Sequence, residues 1–208
     1  VGRYEAGIEN ESDVRTSNKE GIATLIPVTK QNAYPYNWVT RTQSKVLAER
    51  VGGENYTSSL MFGVQWDLVL KYLETKGTTQ AELNEDSTNW GNYSNNTWKI
   101  TNTNALYADN GTNWGYCSYG KTGGAAIQLT TGASDTFCKQ GIYDLAGNVE
   151  EWTLEYSNDP AVPGVVRGSE FHFYGVGSPA SKRWYLKKNY YGYETGYRVP
   201  LYKDEAQD

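Results

Sequence analysis

Apolar and polar positions change rhythm several times along the 208 residues. Residues 1–8 alternate between the two kinds and residues 22–26 are β-rich, so residues 1–30 read as short strands and turns. Pro27 and Pro35 punctuate the chain beyond them. From about residue 42 to 51 the pattern becomes helical through Val46, Leu47, Arg50 and Val51, and Gly52-Gly53 ends it. A second, stronger helix is predicted from Leu60, Met61, Val64, Leu68 and Tyr72, spaced by three to four. Thr57, Ser58 and Ser59 offer a cap and Gly77 a stop. Residues 84–120 differ: Asn recurs there, interleaved with Trp90, Trp98 and Trp114. Asn and Gly favour turns, whereas a disordered segment would lack large hydrophobes. The stretch therefore reads as long ordered loops pinned by indole anchors. From Ile142 onward the pattern is strand and loop. With no internal repeat and no linker-like composition, one domain over residues 1–208 is expected.

Composition narrows the function classes. The chain carries 22 Gly, 18 Tyr, 7 Trp and only 4 Phe, with a formal net charge of −5. Its length allows a core without a disulfide scaffold. No block of basic residues exists, so a nucleic-acid partner is not expected. No apolar run approaches the ~20 residues of a membrane span, and no leader peptide is recognisable, although Val1 fits the position after a removed one. The single histidine, His172, excludes a three-histidine metal site and a His-Glu-x-x-His centre. A Ser-His-Asp triad would have to run through it. Cys117 and Cys138 lack Cys-x-x-Cys spacing; they form one disulfide or two buried thiols, the thiols being the better expectation for an intracellular or phage protein.

The most specific stretch is Gly141-Ile-Tyr-Asp-Leu-Ala-Gly-Asn-Val-Glu-Glu-Trp-Thr153. Gly147-Asn148 is a tight-turn signal, and Val149 and Trp152 are core anchors. Asp144, Asn148 and Glu151 are polar groups held near the turn. They either satisfy backbone donors or hold a cation such as calcium through oxygen.

This stretch resembles the signature of the formylglycine-generating enzyme (sulfatase-modifying factor) family. Other landmarks agree in order: Gly2-Arg3-Tyr4-Glu5 with its first strand, Phe62-Gly63-Val64-Gln65-Trp66-Asp67 with its second helix, Val166-Arg167-Gly168 with its Arg-Gly-Gly-Ser strand, and Gly196-Tyr197-Arg198-Val199 with its closing strand. The resemblance implies an α+β domain, an elaborated C-type lectin fold with two helices, short antiparallel strands and much irregular loop. Those enzymes oxidise a cysteine with copper held by two cysteines just beyond the Arg-Gly-Gly-Ser strand. Residues 167–202 contain no cysteine, so no catalytic residues, no metal ligands and no cofactor are expected. The competing reading is a copper-dependent oxidase of this type with a displaced metal site.

Residues 167–202 hold ten aromatics in 36 positions, broken by Gly175, Gly177 and Gly192. Neither helical spacing nor sustained strand alternation accounts for them. Tyr and Trp with Ser, Gly and Asn make a paratope-like composition. Residues 165–208 carry 7 basic and 5 acidic residues, against 12 and 19 in residues 1–164. Pro179-Ala180-Ser181-x-Arg183 and Gly196-Tyr197-Arg198-Val199-Pro200-Leu201-Tyr202 are similar to the fixed blocks of the variable proteins of diversity-generating retroelements. Ser169, Tyr197 and Pro200 depart from that frame. In such proteins a C-type lectin fold displays a C-terminal region randomised at chosen positions. The resemblance implies a non-enzymatic receptor or adhesion protein of a virion tail or of a bacterial or archaeal cell surface. Its ligand would be a protein or glycan on a cell surface, bound without membrane insertion and with multivalent display compensating for weak single contacts. Between the fixed blocks, Glu170, His172, Tyr174 and Val176 form one group of candidate ligand-binding residues. Trp184, Leu186 and Lys187 form a second, and Tyr190, Tyr191, Tyr193 and Glu194 a third. Phe171 and Tyr197, beside the fixed blocks, are expected in the core.

Overall fold

A computed structural model describes residues 1–16, 24–108, 114–116, 120–121 and 124–203. The expected strand over 22–26 falls partly outside these residues, and Thr24–Ile26 are turn and irregular chain. Cys117 lies outside them as well.

Helix α1 (Arg41–Ala48) begins at a capping box. The Thr40 hydroxyl accepts from the Gln43 amide while the Gln43 side chain accepts from the Thr40 amide at 2.9 Å. It buries Ser44, Leu47 and Ala48. Helix α2 (Gly63–Thr75) starts at Phe62, whose amide donates to the Gln65 side chain at 2.8 Å. Gly77, at φ +98°, turns the chain out of it. A third, short helix, α3 (Gln80–Asn84), goes beyond the two predicted and is capped by Thr79 and Glu82. Thr57 and Ser58 do not cap α2; they belong to a strand, Tyr56–Ser58, paired with Leu201–Lys203. Of the apolar stripe predicted for α2, Leu60 and Met61 are buried but precede the helix, and the part within it faces outward: Val64, Leu68 and Tyr72 are exposed, and the buried face is Trp66, Leu70 and Leu73.

The main sheet has four strands: β1 (Glu150–Tyr156), β2 (Gly164–Arg167), β3 (Arg183–Leu186) and β4 (Thr195–Tyr197), in the order β3-β2-β1-β4. β1–β2 and β2–β3 are antiparallel, whereas β1–β4 is parallel. The remaining strands are pairings of two or three residues, so the molecule is a small α+β structure with much irregular chain. Trp152, Val166 and Trp184 lie side by side across the sheet, and Tyr197 flanks Trp152 on the other side. Trp152 is fully buried among Leu47, Ala48, Leu60 and Tyr197, and its indole N–H donates to the Val39 carbonyl at 3.0 Å. A second cluster gathers Trp66, Leu70, Leu73, Trp90 and Leu145. The expected indole anchors are in place at Trp90, which is buried, and at Trp114, which packs edge-on against Tyr34.

Candidate functional site

The motif around Asp144–Trp152 builds a buried polar frame. Asp144, Gly147 and Asn148 all have positive φ, at +56°, +73° and +62°. Gly147 is required there, because a Cβ would fall 2.2 Å from the Asn92 carbonyl oxygen. The Asn148 side chain donates to Glu5 at 2.7 Å and accepts from the Leu129 amide at 2.9 Å and from Asn92 at 3.1 Å. Arg198 and Glu151, both buried, meet at 2.7 Å, and the same guanidinium donates to the carbonyls of Gly2 and Tyr143. Asp144 accepts from the Gly132 amide at 2.7 Å. Burial pushes the Asp144 carboxyl up to about 7 and raises Glu5 well above the ordinary range, with neighbouring carboxylates adding to both. Of the oxygen-bearing side chains named as calcium candidates, Asn148 and Glu151 meet protein donors, and Asp144 does so through one oxygen while its other oxygen is buried without a described donor. Among the described residues no group of three or more His, Cys, Asp or Glu is placed to hold a metal. Cys138 is a free, half-buried thiol, pushed up by burial.

A second polar cluster ties the edge strand β3 to the body. Arg167, which has no exposed side-chain surface, pairs with Asp67 of α2 at 2.8 Å and with Glu155 of β1 at 3.2 Å. Arg183 of β3 meets the same two carboxylates at 2.7 and 2.6 Å. Strand alternation then sends Trp184 to the side of Val166 and Trp152, and Tyr185 to the opposite side. Both are about half exposed, at 48% and 47%.

The loop after β2 is braced by the Asn-rich segment. The Ser94 hydroxyl donates to the carbonyls of His172 and Phe173, and Asn95 accepts from the Gly175 amide. The Ser87 amide donates to the Gly175 carbonyl, and Asp86 bridges to Val176. Gly175 fits tightly against Thr88, 2.3 Å from where a Cβ would sit.

On this frame the candidate residues separate by exposure. His172, Tyr174, Val176, Trp184, Lys187 and Tyr191 are exposed. Leu186, Tyr190, Tyr193 and Glu194 are half-buried; Leu186 and Tyr190 pack on the core, and the Tyr190 hydroxyl donates to Glu194. Glu170 corrects the expectation. It is buried, with its carboxylate accepting from the His172 amide at 2.8 Å and meeting the His172 ring at 2.7 Å, which raises the imidazole. Glu170 thus orients the loop from beneath. Phe171, in a turn after β2, and Tyr197, in β4, are both fully buried, as expected.

Ring contacts link much of the surface. Tyr193 meets His172 at 5.6 Å and Phe171 at 6.1 Å, and Phe173 meets Trp184 at 6.5 Å. Three members were not foreseen as site residues: Phe173, Trp38 and Glu150. Phe173 is an exposed aromatic of the same segment, whereas Tyr185, equally exposed, lies on the opposite side of β3. Trp38 comes from far away in sequence: its amide donates to the Gly192 carbonyl, and its ring packs on Tyr191 at 6.2 Å and Tyr193 at 5.7 Å. Glu150, buried next to the motif's Glu151, also lines this surface. It accepts from the Thr195 hydroxyl at 2.9 Å, and burial pushes its carboxyl up to about 8, helped by Glu170 and Glu194.

No family model matches the chain, and no curated protein matches it. Among solved structures it is similar to Treponema denticola variable protein 1, over 96% of this chain and 84% of that one, with a TM-score of 0.50 and 14% identity. The two chains share a fold.

Proposed function

We propose that this chain is a non-enzymatic binding protein whose C-terminal surface is diversified by a retroelement, carried on a C-type lectin fold of the formylglycine-generating enzyme type. One observation carries the reading. Large side chains between the fixed blocks stand in solvent, while the fixed blocks themselves hold satisfied buried groups such as Arg198, and Phe171 beside them is buried. Exchanging the exposed set costs the frame little, because surface substitutions away from buried networks are nearly neutral. The shared fold with a protein titled a variable protein supports the same reading.

Half-exposed tryptophan and tyrosine beside Ser, Gly and Lys make a surface suited to a protein or glycan target displayed on a cell. The carrier is a virion tail or a microbial surface, and several copies acting together would raise avidity. An oxidase of that type would need two thiolate ligands beyond the Arg167 strand, and residues 167–202 contain no cysteine. The test is to sequence the DNA flanking the gene. A near-copy of the segment encoding residues 167–202, adenine-rich at codons for the exposed residues and beside a reverse transcriptase gene, is expected. Sibling genes differing evenly over residues 1–208, with no such copy, would defeat the proposal.

A further inference from the structure

Between Phe173 and Trp184 the surface opens into a pocket of about 100 Å³. Val166, Phe173 and Trp184 give it apolar walls, and Ser169, Ser178 and Lys182 supply polar edges. Glu150, only 5% exposed, lines it too. One Glu150 oxygen accepts from Thr195; no described donor reaches the other, and no described cation pairs with the carboxyl. Glu170 and Glu194, outside the pocket lining, are near enough to act on its charge. Glu170 is met by His172 and Glu194 by the Tyr190 hydroxyl. Lys182 stands at the pocket's edge without pairing with Glu150: its ammonium donates to the Gly177 carbonyl at 3.1 Å and lies 5.5 Å from the centre of the Trp184 ring. The ring therefore already holds a cation near its face.

We propose that this pocket is the anchor subsite of the surface and takes a cationic side chain, a lysine ammonium or an arginine guanidinium, from a protein ligand. The inference rests on reading the surface as a binding face. An aromatic wall attracts a cation through its quadrupole, and a carboxyl within it completes a charge-assisted hydrogen bond. A buried carboxyl lacking a counter-charge is held protonated, so an arriving cation releases that proton. Charge then balances inside the pocket: one cation enters and one proton leaves to solvent.

The experiment uses small probes. Butylammonium and methylguanidinium chloride are titrated at constant ionic strength into the whole protein, with n-butanol as the neutral control. The indole N–H resonance of Trp184, assigned with Trp184→Phe, is followed. Both cations should give a saturable shift that butanol does not. Glu150→Gln should weaken the cations about tenfold or more, the scale of a hydrogen bond to a charged group. Lys182→Ala, which removes a competing cation, should strengthen them. Calorimetry in buffers of different ionisation enthalpy should show proton release near pH 7.

Butanol binding as well as butylammonium, no saturable shift, or unchanged affinity in a folded Glu150→Gln variant would each overturn the proposal. Should that variant not fold, the cation-to-butanol comparison and the proton release decide it on the native chain. If no cation binds but the flanking DNA holds the adenine-rich copy, the pocket assignment falls and the diversified surface stands.

Discussion

Glu150 should write its protonation into the stability of the whole chain. Its carboxyl rises from an ordinary value of 4.5 to about 8 on folding, chiefly by burial and further through Glu170 and Glu194, with the Thr195 hydrogen bond opposing. The folded state therefore holds a proton that the unfolded state has released between those two pH values. Stability from this group is complete below about pH 4.5, falls as pH rises, and levels off above about pH 8. At about 1.4 kcal/mol per pH unit the loss is at most ~5 kcal/mol, and about 2–3 kcal/mol once water enters the pocket and the side chain relaxes. Glu150→Gln keeps an acceptor for Thr195 and cannot ionise. Denaturant unfolding of both proteins from pH 5 to pH 9 isolates the group, because Asp144 and Glu5 contribute equally to each curve. The variant should gain on the native protein by about 2–3 kcal/mol between pH 5 and pH 9. Parallel curves would show that Glu150 titrates normally, and its burial would not govern its charge.

The double variant Trp184→Ala, Tyr191→Ala removes two half-exposed rings and should lower Tm by less than about 5 °C, read by calorimetry. Trp152→Ala, by contrast, empties a fully buried site and should cost about 3–5 kcal/mol in denaturant unfolding. Arg198→Met leaves Glu151 buried without its partner and should also cost about 3–5 kcal/mol, reported by a lower denaturation midpoint. Gly147→Ala forces a Cβ against the Asn92 carbonyl at positive φ, and should lose more than about 1 kcal/mol by the same assay.

The frame was legible in sequence because its parts sit close together. Asp144 to Trp152 spans nine residues, and the turn at Gly147-Asn148 announces itself. Helix α2 shows where such reading stops. Gly63–Thr75 carries apolar residues on more than one side, so Val64, Leu68 and Tyr72 fit helical spacing as well as Trp66, Leu70 and Leu73 do. Only packing against the second core cluster chooses between the two faces, although Trp66, the largest side chain, was a signal for the buried one. Glu170 was misplaced because nothing local distinguishes a carboxylate folded under its own loop from one in solvent. Trp38 reaches the surface through a backbone bond to Gly192, a pairing 154 residues long that no local pattern encodes. Glu150 could have been found: strand alternation from buried Trp152 places it on the same side of β1 as Trp152.

The central claim is that the frame is indifferent to what it displays. Randomising His172, Tyr174, Val176, Trp184, Lys187 and Tyr191 together in a yeast-display library, with protease resistance as the readout, tests this directly. Most members should remain folded, and selection against an unrelated protein such as hen lysozyme should yield binders. If resistance collapses as completely as in a library randomised at Asn148, Trp152 and Arg198, those six side chains are part of the structure rather than its cargo.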